Sequence, residues 1–273
     1  MSISSSRIAN LDRLCQELET HAQSLGIPMG PSPVAEKLSQ SLFLAHSTAD
    51  QKFAQIGAAR CLSSNAKLAA ELGTTLAADC TEVVLGTSDT VFFYAAPFRY
   101  PNTGCGLLYA RSLEKDYEST GAATPFDSGG LRRKMVRPDP AEPVQAFLAR
   151  HELPIPGHRR YLGHVMTALF EKPADYVSGQ DPRQPSPLGF TSGDERRWTH
   201  EVRIPRLVHV QGSAHLQAVF APRARVAADP DIEALFAWCR IEQVDTVVFD
   251  ASRGNDFESL RRECLGYIRR ELY

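Results

Sequence analysis

SLFLAHSTADQKFAQIGAARCLS, residues 41–63, is the stretch on which the reading of the fold turns. SLFLAH is a short apolar run of strand character that leads into His46, Ser47 and Thr48. From Asp50 to Ile56 the apolar positions Phe53 and Ile56 repeat at helical spacing, and Gly57 follows as a stop signal. ARCLS then returns to a short extended run. The stretch therefore predicts strand, helix, strand, with a polar trio closing the first strand. Taken alone it also describes a histidine satisfied at the end of a core strand.

Towards the N-terminus, Ile8, Leu11, Leu14, Leu18, Ala22 and Leu25 recur at three- and four-residue steps, which predicts an amphipathic helix ending at Gly26 and Pro28. GIPMGPSP (26–33) is too rich in Pro and Gly to continue it and reads as a linker. Residues 1–40 are thus expected to form a helical extension, and 41–273 the main domain. Within that domain Asn65–Leu72 reads as a second short helix before Gly73, and EVVLG (82–86) and TVFFYAAP (90–97) as strands. GCGLLYARSLE (104–114) looks helical. Residues 119–197 are an insertion-rich middle with one convincing helix, Arg159–Phe170. WTHEVRIPRLVHV (198–210) and LQAVFAP (216–222) return to strand, and Asp231–Ile241, Thr246–Asp250 and Phe257–Leu272 read as helix, strand, helix.

Composition narrows the function classes. With 30 Lys+Arg against 32 Asp+Glu the net charge is −2, so no global positive field draws the chain to nucleic acid or an anionic membrane. Any polyanion contact must be a local patch. No apolar run is long enough to span a bilayer and the start lacks a signal-peptide pattern, so no membrane association is expected. The six cysteines are scattered without a C-x-x-C pair, which points to a reducing, cytoplasmic setting and to no thiolate metal site. His151, His158, His164, His200, His209 and His215 enrich the second half, but no H-E-x-x-H accompanies them, and no metal is expected. P-loop and G-x-G-x-x-G signatures are absent. Cys105 could act as a nucleophile at a helix start, or be a small apolar residue.

Three segments in order carry a family resemblance. His46-Ser47-Thr48 ends the first strand, TVFFYAAP carries Tyr94, and DERRWTHEVRIP brings Glu201 on a strand of the form Glu-Val-x-x-Pro after a polar loop. Together they resemble the ADP-ribosyltransferase fold of the His-Tyr-Glu type, over roughly residues 41–222, although the family's Gly-Leu pair is loosened here to GAARCL. The resemblance implies an α+β architecture, a split antiparallel sheet with flanking helices, with NAD as co-substrate. On that footing Glu201, His46 and Tyr94 would be the central catalytic residues, and His46, Ser47, Thr48, Tyr94 and Tyr109 would hold NAD. Each has a plainer reading: Tyr94 and Tyr109 as core aromatics, Glu201 as a solvated strand residue.

The chemistry explains the residue types. Cleavage of the nicotinamide–ribose bond develops positive charge on the ribose, as in glycoside hydrolysis, and a preorganised carboxylate stabilises it. The position two residues before Glu201 is Thr199 rather than Glu or Gln, which disfavours arginine as acceptor by the family's pattern. The resemblance leans towards bacterial toxins that modify DNA or RNA, including those of toxin–antitoxin and phage-defence systems, so a nucleic-acid acceptor is expected before a protein one and an antitoxin partner is implied. Arg196, Arg197 and Trp198, in the loop before Glu201, are the expected acceptor contacts. The basic residues Arg132, Arg133, Lys134, Arg137, Arg159 and Arg160 could add a phosphate-binding face or a solvated surface. PFDSGGL (125–131) reads first as an Asp-initiated turn, second as a loop over NAD or acceptor. The alternatives are an RNA 2′-phosphotransferase-like enzyme, whose paired arginines are missing at His46–Thr48, and a catalytically silent partner-binding module on the same fold.

Overall fold

The computed structural model describes residues 4–27, 30–48, 50–95, 104–133, 137–178, 180, 182–189, 200–250 and 266–267. The chain begins with helices α1 (Ser5–Ser24) and α2 (Pro33–Ser41), strand β1 (Phe43–Thr48), helix α3 (Asp50–Ala59), strand β2 (Cys61–Ser63) and helices α4 (Asn65–Glu71) and α5 (Thr81–Leu85). Strands β3 (Thr90–Ala95) and β4 (Cys105–Ala110) follow, then a 3₁₀ segment (Arg111–Tyr117), strand β5 (Ala122–Thr124) and helices α6 (Gly130–Arg133), α7 (Val144–Ala149), α8 (Ile155–Leu169) and α9 (Pro173–Val177). The remainder is β6 (Glu201–Pro205), β7 (Leu207–His209), β8 (Leu216–Pro222), α10 (Arg223–Ala228), α11 (Pro230–Ile241) and β9 (Asp245–Phe249).

The architecture is mixed α+β with a mostly antiparallel sheet flanked by helices. Among the described residues seven strands lie in the order β5-β6-β3-β1-β4-β8-β9, with only β8–β9 parallel, and β2 and β7 form a separate pair. The registers are uneven where it matters. β1 pairs with β4 along its whole length, Phe43↔Ala110 to Thr48↔Cys105, yet with β3 only at Leu44↔Ala95 and Ala45↔Tyr94. β3 in turn pairs with β6 throughout, from Thr90↔Pro205 to Tyr94↔Glu201. Beyond Ala45 the two central strands therefore part, and a cleft opens between His46–Thr48 on one side and Thr90–Phe92 on the other.

Alternation builds β3: Val91, Phe93 and Ala95 are buried while Thr90, Phe92 and Tyr94 are half-buried, so one face joins the core and the other the cleft. In α1, Leu11, Leu14, Cys15, Leu18 and Ala22 make a buried stripe that packs on α8. The segment read as an extension thus shares the core of the rest of the chain. Ser32 caps α2 by accepting from Ala35 N at 3.2 Å, with Pro33 in the first helical turn.

Three sequence expectations are corrected. EVVLG is helical, not a strand: five residues close one turn and Gly86, at φ 71°, supplies the left-handed cap that overrides the β propensity of two valines. GCGLLYARSLE is strand β4 followed by 3₁₀ turns, not a helix. Its strand is buried on both faces, so its apolar residues run on without the alternation that distinguishes the two periods. Gly57 does not stop α3 but lies inside it, where a Cβ would stand 2.8 Å from the Asp231 carbonyl oxygen at the start of α11. The expected C-terminal helix Phe257–Leu272 falls, apart from Gly266 and Tyr267, outside the described residues. Among the described residues no helix is long and apolar enough to cross a membrane.

Candidate active site

The cleft between β1 and β3 continues into a cavity of about 390 Å³. Five of the sequence-derived candidates, His46, Ser47, Thr48, Tyr94 and Glu201, line it. Tyr94 and Glu201 are direct cross-strand partners on β3 and β6, so their side chains leave the sheet on the same face. His46 and Thr48 come from β1 across the split. Away from this end the walls are made by α3, β2, α4 and α5, with Ile56, Leu62, Leu68 and Leu85 giving an apolar chamber and Lys52 and Asn65 polar contacts.

Glu201 is 1% exposed. Its Oε1 accepts a hydrogen bond from Ser128 Oγ at 2.7 Å, and its Oε2 accepts one from Ser128 N at 3.3 Å. Arg203, two residues on and therefore on the same face, brings its Nε to 3.7 Å from Oε1. Burial pushes the Glu201 carboxyl up to about 8, and the negative charge of Asp127 adds to this, while Arg203 and the two Ser128 bonds pull in the opposite direction. The carboxyl is thus poised between its two protonation states near neutral pH. A cation brought against it would convert it to carboxylate.

His46 is half-buried, and its Nδ1 donates to the Phe92 carbonyl oxygen at 2.8 Å. Because a carbonyl only accepts, this bond fixes the tautomer and leaves Nε2 as an acceptor. Burial, and secondarily the charge of Lys52, lowers the imidazole pKa and keeps the ring neutral. The cleft therefore offers a neutral acceptor on one wall and a carboxyl on the other, the arrangement that suits a ligand with hydroxyls and a local positive charge.

Tyr109 does not join this group. It is fully buried on β4, its ring meets Phe93 edge-on at 5.6 Å, and its hydroxyl donates to the His209 carbonyl oxygen at 3.3 Å. The strand geometry that replaces the expected helix turns it into the core, away from the cavity. Cys105, also fully buried, begins the same strand and has no helix start to activate it. Arg196, Arg197 and Trp198 lie outside the described residues. Of the other basic candidates, Arg159 donates to Glu114 Oε2 at 2.6 Å, Arg160 lies 3.6 Å from Asp12, and Arg137 donates to the Glu142 and Pro140 carbonyl oxygens. All three are engaged within the protein.

PFDSGGL is more than an Asp-initiated turn on the surface. Asp127 Oδ1 accepts from Gly129 N at 2.9 Å, an Asx turn at the entrance to α6, and this turn presents Ser128 to Glu201. Asp127, Ser128 and Gly129 all line the cavity. The signal was available in the Asp-Ser-Gly-Gly run, but nothing in the sequence says which strand the turn will meet. Arg203 was legible only as the second residue after Glu201 on one strand face.

No protein-family model matches the chain, and no curated protein shows significant sequence similarity to it.

Proposed function

We propose that this chain cleaves NAD at the nicotinamide–ribose bond and transfers the ADP-ribose to a macromolecular acceptor, a nucleic acid before a protein, in the manner of the toxin and phage-defence ADP-ribosyltransferases it resembles. The observation that carries the reading is that the cross-strand pair Tyr94–Glu201 and His46 line one cavity, at a point where the sheet opens between β1 and β3. In the transfer, the C1′–N bond breaks and its electron pair leaves with nicotinamide, which becomes neutral. The ribose passes through an oxocarbenium-like state, and the acceptor forms the new C1′ bond and loses its proton. The Glu201 carboxylate accepts a hydrogen bond from the ribose hydroxyl and stabilises the developing charge. Tyr94 stacks on the nicotinamide, and His46 Nε2 and Thr48 hold the adenosine ribose.

The raised pKa of Glu201 fits this role. The nicotinamide ring of NAD is cationic, so its binding favours the carboxylate and releases a proton. Affinity for NAD is then expected to rise with pH between the ordinary carboxylate value of 4.5 and about 8. The phosphotransferase alternative needs paired arginines, and among the described residues Lys52 is the one Lys or Arg lining the cavity.

The deciding experiment is nicotinamide release from NAD by the purified chain, alone and with RNA, DNA or lysate. Glu201→Gln is expected to slow release by on the order of 10²–10³ while NAD still binds. Expression of the parent should inhibit growth and the variant should not. A variant as fast as its parent, or a parent that releases no nicotinamide with any acceptor, overturns the reading. Labelled ADP-ribose that stays on protein after nuclease treatment would transfer the assignment to a protein acceptor.

A further inference from the structure

Arg203 is 3% exposed and sits between two carboxyl groups. Its Nη2 donates to Glu152 Oε1 at 2.5 Å, whereas its Nε stands 3.7 Å from Glu201 Oε1 and makes no hydrogen bond. A buried guanidinium donor without a partner is uncommon, because leaving it unsatisfied forfeits its hydration. The arrangement is held from outside. Glu152, just ahead of α8, also accepts from Arg7 Nε of α1 at 3.2 Å, and Arg7 Nη1 donates to the Gly121 carbonyl oxygen at 2.7 Å, immediately before β5. Gly121 cannot retreat into a side chain of its own, since a Cβ there would lie 2.2 Å from Ile155 Cδ1 and 3.0 Å from the Arg203 carbonyl oxygen. A chain of alternating charge, Glu201–Arg203–Glu152–Arg7, therefore runs from the cavity wall to the half-exposed first turn of the N-terminal helix.

We infer that Arg203 acts on the site through Glu201, as the counter-charge of its carboxyl, and that Glu152 and Arg7 set how much of that charge reaches the site. The first turn of α1 is then a working part of the cavity. The guanidinium is shared: what Glu152 draws towards itself is withheld from Glu201. Alternation follows along the chain. Loss of Arg203 leaves Glu201 harder to ionise, loss of Glu152 releases Arg203 and makes ionisation easier, and loss of Arg7 lets Glu152 hold Arg203 more tightly and makes it harder again. The other groups around Glu201 do not share this pattern. Asp127 and Ser128 approach it from the loop after β5, Tyr94 is its cross-strand partner on β3, His200 precedes it in the chain, and His46 lines the same cavity from β1, whereas the ion pairs of Glu152 run to Arg203 and Arg7.

For turnover the inference rests on the function proposed above; for ionisation it does not. The test is an NMR titration of the substrate-free full chain with isotope-labelled glutamate, in which the Glu201 signal is the one missing from Glu201→Gln. Arg203→Met should raise its midpoint by about one unit or more, the effect expected of an opposite charge at this range, and Arg203→Lys should restore most of the parent value. Glu152→Gln should lower the midpoint and Arg7→Gln raise it. These last two lie near the surface and keep the test open if Arg203→Met does not fold. Midpoints that do not move, or that move in one direction in all variants, overturn the inference, as does Arg203→Lys behaving like Arg203→Met. If the signs alternate but no variant, nor the parent, cleaves NAD, the relay stands and the proposed activity falls. If NAD is cleaved, the acid limb of its pH profile should move with the same signs.

Discussion

At Glu201 a carboxyl that is almost fully buried accepts two hydrogen bonds from one serine and still titrates far above an ordinary glutamate. Desolvation outweighs the bonds. Because the folded-state value is raised, the stability Glu201 contributes is fully present below 4.5 and is lost as pH rises to about 8. Glutamine cannot ionise and can still satisfy Ser128, with its oxygen accepting from the backbone N–H and its amide donating to the hydroxyl. Glu201→Gln is therefore expected to be more stable than the parent at alkaline pH. At about 1.4 kcal/mol per unit of displacement the gain is on the order of a few kcal/mol, and it should vanish as pH falls to 4.5. Urea midpoints of the two proteins across that range check it; equal midpoints at alkaline pH would show that the carboxyl is not strained by burial.

At the scale of elements, the split between β1 and β3 depends on β1 being held hard against β4. Gly106 makes this possible: a Cβ there would meet the His46 carbonyl oxygen at 2.1 Å, Phe220 Cζ at 2.5 Å and Ser47 Cα at 2.9 Å. Two of those are backbone atoms that cannot move aside without shifting the strand that bears His46, Ser47 and Thr48. Gly106→Ala is expected to cost about 3 kcal/mol, the upper end of overpacking effects, and to weaken ligand binding as well. Unchanged urea stability would refute it. This close approach also explains which parts of the fold could be read in advance. β3 and the first turns of α1 announce themselves by periodicity, and β1, β6 and β8 by apolar runs between polar breaks. β4 does not, since a strand buried on both faces has no period, and Gly106 within it, like Gly57 within α3, is a close packing contact and not the end of an element. The site divides the same way. His46, Tyr94 and Glu201 stand on strands whose order was legible, whereas Ser128 reaches Glu201 from 73 residues away through a turn whose destination only the folded chain decides. Tyr109 is legible only together with its element, and β4 hides its period, so the core position of the ring stays hidden with it.

Across the whole molecule the buried histidines oppose Glu201. Arg111 Nη2 lies 3.1 Å from His158 Nδ1, and His158 Nε2 lies 3.2 Å from His200 Nδ1, behind the start of β6. Arginine can only donate, so His158 accepts at Nδ1 and donates from Nε2 to His200. Neither ring has room for a second proton without setting N–H against N–H. Burial lowers both, His158 strongly and His200 to about 3, and His151, whose Nδ1 donates to the Phe147 carbonyl oxygen at 2.8 Å, to about 4. For a histidine whose folded value is depressed, stability is complete above 6.5 and is lost as pH falls below it, because the unfolded chain binds the proton that the core refuses. The histidine window runs downward from 6.5 and the Glu201 window upward from 4.5, so they overlap; with several depressed histidines set against one raised glutamate, the chain should resist unfolding best near 6.5, where the opposing slopes cancel, and lose stability on the acid side with a slope of more than one proton. His158→Gln isolates the contribution of the pair: its side-chain oxygen can accept from Arg111 and its amide donate to His200, so the hydrogen-bonded path survives without a group to titrate at that position. Urea midpoints measured below 6.5 should then fall less steeply with pH in His158→Gln than in the parent. The two curves should converge above it, apart from a constant offset for the lost packing of the ring. Parallel curves would mean that His158 is not among the groups through which acid unfolds the protein.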